Sequence, residues 1–363
     1  MTVPALPRAF LWRRLHSLTG IWLTIFIIQH LLVNSQAALF LGDDGAGFIH
    51  GVNSIRDLPY LPILELAILG FPIFVHMAWG VQYLLTAKPN SYGRSGTTSY
   101  LAEYPRNHAY TWQRITAWIL VLAILAHIIH MRFIEYPSSA KVGTQNYYMV
   151  RVGLDDGLYT VAGRLDVELF DEKNIQLQKT AGEEDLNGLR SWLHNLSSSL
   201  TGIYKNEAHV QKLQKQQNIQ QGSEWLKAME HWPLKQGEAV AVSKDFGTAE
   251  LLMLRETFKS PIMIALYTVF VITACFHAFN GLWTFLITWG VTLTARSQLL
   301  FTWISYGLMF VVSLLGLSAI WLTYWVNLNR WGLIYDKKRE TGHRHRRRTC
   351  RFIFRNETCR TGL

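Results

Sequence analysis

Hydrophobic positions in this chain gather into five long blocks, with little alternation at a period of two. The blocks run near Leu18 to Leu41, Leu61 to Leu85, Thr111 to Phe133, Ile262 to Val291 and Leu299 to Trp325. Each reaches the length of about 20 apolar residues that a helix needs to cross a bilayer. The pattern predicts an all-α integral membrane protein built as a bundle of five transmembrane helices. Met1 to His16 carries Arg13 and Arg14, but the apolar run behind them is too long for a cleavable leader and no small-residue cleavage site follows. This stretch is read as the approach to a retained first helix.

Between the third and fourth blocks the pattern breaks. Residues 138–258 bring back Asp, Glu, Lys, Gln and Asn in quantity and are read as a soluble α+β insertion. Tyr147 to Val152 and Leu158 to Leu165 have strand character, with Asp155-Asp156-Gly157 as the turn between them. Leu186 to Leu200 and Val210 to His231 read as helices. His194, His209 and His231 are scattered and read as surface residues. The expected organisation is therefore 1–137 for helices one to three, 138–258 for the insertion, 259–326 for helices four and five, and 327–363 for a basic tail.

Composition sharpens this picture. Half of the 363 residues are hydrophobic and 17% are charged, against about 25% charged in soluble domains. That excludes a disordered chain. Three cysteines, Cys275, Cys350 and Cys359, give neither a disulfide framework nor a metal spacing. The net charge of +10 would suggest nucleic acid, but the tail after Asn329 alone holds eleven Lys/Arg against three Asp/Glu. On a membrane protein such a tail meets anionic lipid or is solvated, and no nucleic-acid partner is expected.

Charge also sets orientation. Arg8, Arg13 and Arg14 precede the first block, and Lys88, Arg94 and Arg106 lie in the second loop. The first loop carries Asp43, Asp44 and Asp57 against Arg56. The N-terminus and second loop are expected on the cytoplasmic side, and the first loop and the insertion outside. Five spans then send the basic tail outside, against the same rule.

Each of the first four blocks holds a histidine deep in its apolar run: His30, His76, His127 and His277. Ionisable residues at such depth are costly and point to function. Helices one and three run outward, so His30 and His127 lie roughly 18–24 Å from the cytoplasmic end at 1.5 Å per residue, in the outer half. Helices two and four run inward, which puts His76 and His277 in the inner half. Two pairs at two depths result, His30 facing His127 and His76 facing His277. Paired imidazoles on facing helices suit two axially ligated haems. Zinc fits less well, since no pair has further ligands nearby. A proton relay is the rival reading.

Gly20 and Gly80 would let a flat macrocycle approach, or simply serve helix packing. Arg13, Arg14, His16 and Arg114 could meet the propionates of an inner haem, and His130 and Arg132 those of an outer one. His130 also rivals His127 as the ligand.

Several runs resemble the cytochrome b subunit of succinate:quinone oxidoreductase, in its five-helix, two-haem form. They are Arg13-Arg14-Leu15-His16-Ser17-Leu18, Gln29-His30-Leu31, and His76 with Gly80-Val81-Gln82-Tyr83. Gln113-Arg114 and His277-Ala278-Phe279-Asn280-Gly281-Leu282-Trp283, followed by Thr294-Ala295-Arg296-Ser297-Gln298, complete the match. The large insertion suggests the chlamydial version of this subunit. The resemblance implies two haem b groups, held as paired above, in a multi-pass subunit of the bacterial cytoplasmic membrane. Flavoprotein and iron–sulfur partner subunits would oxidise succinate and pass electrons through the haems to a quinone, usually menaquinone. His16, Ser17, Arg14 and His50 are the quinone-site candidates, and no succinate site is expected here. Where some relatives place a carboxylate two residues before the fourth-helix ligand, this chain has Cys275. Glu65 is read as either structural or protonic. The alternatives are a cytochrome b of another quinone-linked dehydrogenase and a haem-free, proton-coupled transporter.

Overall fold

The computed structural model describes residues 7–38, 44–86, 88, 91–92, 98–99, 101, 103–199 and 205–327. The basic tail, Arg94, Asp43, Cys350 and Cys359 lie outside these residues. Among the described residues, five helices are long and apolar enough to cross a membrane: Arg8–Ala38, Leu61–Thr86, Arg106–Ile134, Pro261–Thr288 and Ala295–Trp325. They are called here the first to fifth spans. The protein is mostly helical, as the hydrophobic blocks require.

The first span begins ten residues before its apolar block, because Phe10, Leu11 and Trp12 continue the helix on exposed faces. Proline supplies the first turn of the second, third and fourth spans, where its missing N–H costs nothing. Thr294 and Ser297 close a reciprocal capping box at the start of the fifth. Among the described residues three segments are wound as π-helix: Glu65–Gly70 inside the second span, Ile129–Ile134 ending the third and Thr323–Asn327 ending the fifth. Hydrophobic periodicity gives no sign of them.

The first, fourth and fifth spans pack on one another, the second lies against the first, and the third against the fourth. Gly316 makes the tightest crossing. A Cβ there would sit 2.6 Å from Val271 Cγ1 and 3.1 Å from Leu31 Cδ1, so only glycine admits all three spans. Large side chains such as Trp22, Phe74, Leu122 and Phe310 point outward, as in a bundle that meets lipid around its rim. The segment read as the first loop holds a helix, Ala46–Arg56. Its 11 residues are too short to register as a span, and its Phe48 is buried. The second loop carries a two-residue ladder, β1 (Ser91–Tyr92) with β2 (Thr98–Ser99).

The chain divides into two compact units, with breaks at Ile134/Glu135 and Glu256/Thr257. The unit between them has a four-stranded antiparallel sheet of β3 (Ser138–Val142), β4 (Gln145–Gly153), β5 (Glu168–Asp171) and β6 (Glu238–Ser243), in the order β3-β4-β6-β5. Central β6 is almost wholly buried, which explains its continuous apolar run. Met149, Trp225, Met229, Trp232, Val240 and Val242 share one core. Tyr147 to Val152 form the middle of β4, as expected. The helices expected near 186–200 and 210–231 are the longer Glu172–Ser199 and Lys205–Met229. His231 is exposed beside Trp232, while the side chains of His194 and His209 lie outside the described set.

Leu158 to Leu165 is not a strand. Leu158–Arg164 is a helix. Asp155 Oδ1 accepts from the backbone N–H groups of Gly157 and Leu158 at 2.9 and 3.0 Å, so the expected turn is present at Asp156 and Gly157 but leads into a helix. Leu158, Val161 and Ala162 then bury one face at helical spacing. Arg255, fully buried, closes this end of the unit by donating to both carboxylate oxygens of Asp155.

Candidate functional site

Four spans bring their histidines together in two pairs. The rings of His30 and His127 lie 6.1 Å apart with planes at 78°, and those of His76 and His277 6.3 Å apart at 87°. All four side chains are half-buried inside the bundle. His127, rather than His130, is the ring that faces His30. His130 sits one turn further along near Tyr267, its buried Nδ1 without a hydrogen-bond partner among the described residues.

The hydrogen bonds at Nδ1 decide what these rings can do. His76 Nδ1 lies 3.1 Å from the backbone carbonyl of His16. A carbonyl only accepts, so His76 carries its hydrogen on Nδ1. His277 Nδ1 lies 3.2 Å from Thr116 Oγ1. That hydroxyl spends its one hydrogen on the carbonyl of Trp112 at 2.8 Å, so it accepts from His277 Nδ1–H. His127 Nδ1 lies 3.2 Å from the Tyr267 hydroxyl. The Nδ1 hydrogen fixes the tautomer of His76 and His277 and leaves the Nε2 lone pair of each available to a metal, and an anchored Nδ1 is the usual outer support of a metal-bound histidine. Phe26 stacks on His30 at 5.3 Å, and Phe270 lies 5.5 Å from His127.

Among the described residues no group of three or more His, Cys, Asp or Glu side chains converges as a metal site. A tetrahedral ion would lack ligands here. A macrocycle that brings its own four equatorial nitrogens needs only two facing imidazoles, and that is what each pair offers.

Around the second pair, His16 stacks on His76 with ring centres 4.1 Å apart and planes at 10°. Its own Nδ1 is buried without a partner among the described residues. Tyr83 meets His16 edge-on at 5.5 Å. Gly20 faces His76 itself: a Cβ would stand 2.9 Å from His76 Cε1, so this glycine makes room for the imidazole. Gly80 faces His16 with more space, at 3.6 Å.

The predicted arginines are placed as follows. Arg14 donates to the carbonyl of Thr288 and lies over the rings of Phe10 and Trp289. Ser17 accepts from the Trp289 indole at 3.2 Å. Arg14 and Ser17 thus fasten the first span to the end of the fourth. Arg13 is exposed. Arg114 donates to the carbonyl of Lys88 and approaches the Tyr110 ring. Arg132 pairs with Glu65 at 3.0 Å, joining the π segments of the second and third spans. His50 is exposed on the Ala46–Arg56 helix, not in an open loop.

Sequence reasoning missed Tyr267, Thr116 and Thr19, whose hydroxyl lies 3.5 Å from His76 Nδ1. Tyr267 precedes His277 by ten residues and Thr116 precedes His127 by eleven, yet each meets the histidine on the other helix. No local pattern carries that signal. The Asn280 of the His-x-x-Asn-Gly-Leu-Trp run is also explained. It donates to Gln113 Oε1 at 2.6 Å and to the Ala109 carbonyl at 3.2 Å, and accepts from the Trp283 indole at 3.0 Å. Gln113 in turn donates to the carbonyl of His277 at 3.1 Å.

Fold and site together define a multi-pass helical membrane protein with two facing histidine pairs in its core. The chain is similar to the succinate dehydrogenase cytochrome b558 subunit of Bacillus subtilis (strain 168), 24% identical over 314 residues that cover 86% of this chain and 96% of that protein. No family model matches, and no solved structure matches. The similarity runs through nearly the whole of both chains and agrees with the motif runs read from the sequence.

Proposed function

We propose that this chain is the di-haem cytochrome b membrane anchor of a succinate:quinone oxidoreductase. The observation that carries the reading is the pair of facing imidazole couples with Nδ1 anchored on three of the four rings. His30 and His127 would hold an outer haem b, His76 and His277 an inner one. Each bound haem supplies a one-electron carrier; the chain supplies ligands, orientation and a water-poor apolar surround. Succinate oxidation lies outside the role proposed for this chain. That chemistry belongs to flavoprotein and iron–sulfur partner subunits on the side of the N-terminus, the cytoplasmic side by the distribution of Lys and Arg. The insertion then lies across the bacterial cytoplasmic membrane from those partners.

For a quinone, menaquinone in this type, His16 is the best placed of the candidates. Its buried Nδ1 lacks a hydrogen-bond partner among the described residues, whereas Arg14 and Ser17 are engaged with the fourth span. Of the expected propionate partners, Arg13 is exposed, while Arg132 is held by Glu65. The proton-relay reading is disfavoured because His76 and His277 both commit Nδ1 to fixed acceptors inside the bundle.

The test is a dithionite-reduced minus oxidised spectrum of the purified chain, with extracted haem counted per polypeptide. About two low-spin b haems are expected. His30→Ala should remove only the outer haem and His76→Ala only the inner one. A folded protein without a Soret band would end this reading.

A further inference from the structure

The third and fourth spans exchange support. Tyr267 on the fourth span meets the ligand His127 on the third, and Thr116 on the third span meets the ligand His277 on the fourth, each at 3.2 Å. We infer that Tyr267 is a positioning residue that sets the redox potential of the outer haem through His127, and that Thr116 does the same for the inner haem through His277. This rests on the di-haem reading above.

A histidine bound to iron through Nε2 keeps its hydrogen on Nδ1, so Nδ1 donates and the Tyr267 oxygen accepts. Donation to an oxygen leaves more electron density on the imidazole and makes it a more basic ligand. A more basic axial ligand favours the oxidised iron and lowers the potential. Few other polar groups compete for the ring: Phe270 lies on one side of His127, and the Tyr267 ring is itself braced by Phe258 at 5.4 Å and Phe270 at 6.1 Å. In such an apolar surround one hydrogen bond carries more weight than in water. Thr116 is buried and its hydrogen is already given to Trp112, so it can act on His277 only as an acceptor.

The experiment is a potentiometric titration of the purified, haem-loaded full chain, with His30→Ala and His76→Ala as references that assign each spectrum. Tyr267→Phe should keep two haems and shift the outer haem toward the reduced form, about tenfold at fixed poise or about 59 mV for one electron. The inner haem should stay in place, and the low-spin electron-paramagnetic signal of the outer haem alone should move. Thr116→Val should give the mirror result, and Thr116→Ser, which keeps the hydroxyl, should restore the parent value. Two haems with both potentials unchanged in Tyr267→Phe would overturn the inference and leave the proposed function standing. If Tyr267→Phe loses the outer haem, the Thr116→Val and Thr116→Ser pair decides: equal inner potentials in the two would overturn it. Absence of haem from the parent chain would overturn both readings.

Discussion

Asn280 and Gln113 form the polar clasp between the third and fourth spans. Asn280 Nδ2 donates to Gln113 Oε1 at 2.6 Å, and both side chains spend their remaining groups on the same two helices. Asn280 is 2% exposed, so its amide has little water to fall back on. Replacing it with Leu leaves the Trp283 indole N–H and the Gln113 oxygen without their partner. Each stranded group costs about 1–3 kcal/mol. The Asn280→Leu protein in detergent should melt several degrees below the parent; an unchanged transition would show that the clasp does not hold the helices.

Gly20 and Gly80 separate two kinds of glycine. At Gly20 an added methyl meets His76 at 2.9 Å, a ring tied down by His16 and Thr19. At Gly80 the nearest atom is His16 Cε1 at 3.6 Å, ordinary contact. Under the proposed function, Gly20→Ala should therefore disturb the inner haem, seen as lowered haem content or an altered inner spectrum, while Gly80→Ala should be nearly silent. Equal effects would contradict this placement of His76.

Gly316→Ala tests the tightest crossing. The new methyl would press on Val271 and Leu31 together. Overpacking of this kind costs about 1–3 kcal/mol. Loss of thermal stability with normal haem spectra is expected. A gain in stability would mean that the spans have room to part.

In the insertion, Asp155→Ala should be the most damaging single change. It removes the carboxylate from fully buried Arg255 and the acceptor that starts the Leu158–Arg164 helix. Breaking a buried pair costs about 3–5 kcal/mol, and the Asp155 side chain, 22% exposed, puts this one toward the lower end. By contrast the Lys244–Asp166 pair is well exposed, and Lys244→Met should move stability by under about 1 kcal/mol. Urea unfolding of the full chain, followed by the fluorescence of insertion tryptophans, would rank the two; the reverse order would refute the assignment.

The five spans and the four histidines were legible because membrane helices announce themselves by length and because an ionisable group in an apolar run is conspicuous. Even the pairing followed from counting residues along helices of alternating direction. What could not be read is what depends on a partner from elsewhere in the chain. Tyr267 looks like any interfacial aromatic until His127 lies beside it. Arg14 looks like a partner for a propionate or a quinone until the end of the fourth span engages it. Leu158 to Arg164 has strand-like residues, and only the Asp155 carboxylate turns it into a helix. The helix Ala46–Arg56 was too short to stand out from a loop, and the π segments leave no mark on hydropathy at all.

The exchange of hydroxyls between the third and fourth spans has a mechanical consequence. The contacts run in opposite order along the two helices, Gln113 and Thr116 with His277 and then His127 with Tyr267, so a single alignment satisfies both ends. Sliding one helix by a single turn, about 5.4 Å, would unseat both supports at once. The two histidine pairs therefore share one adjustment. Neither can be retuned by shifting a helix without detuning the other, and independent change is left to single side chains.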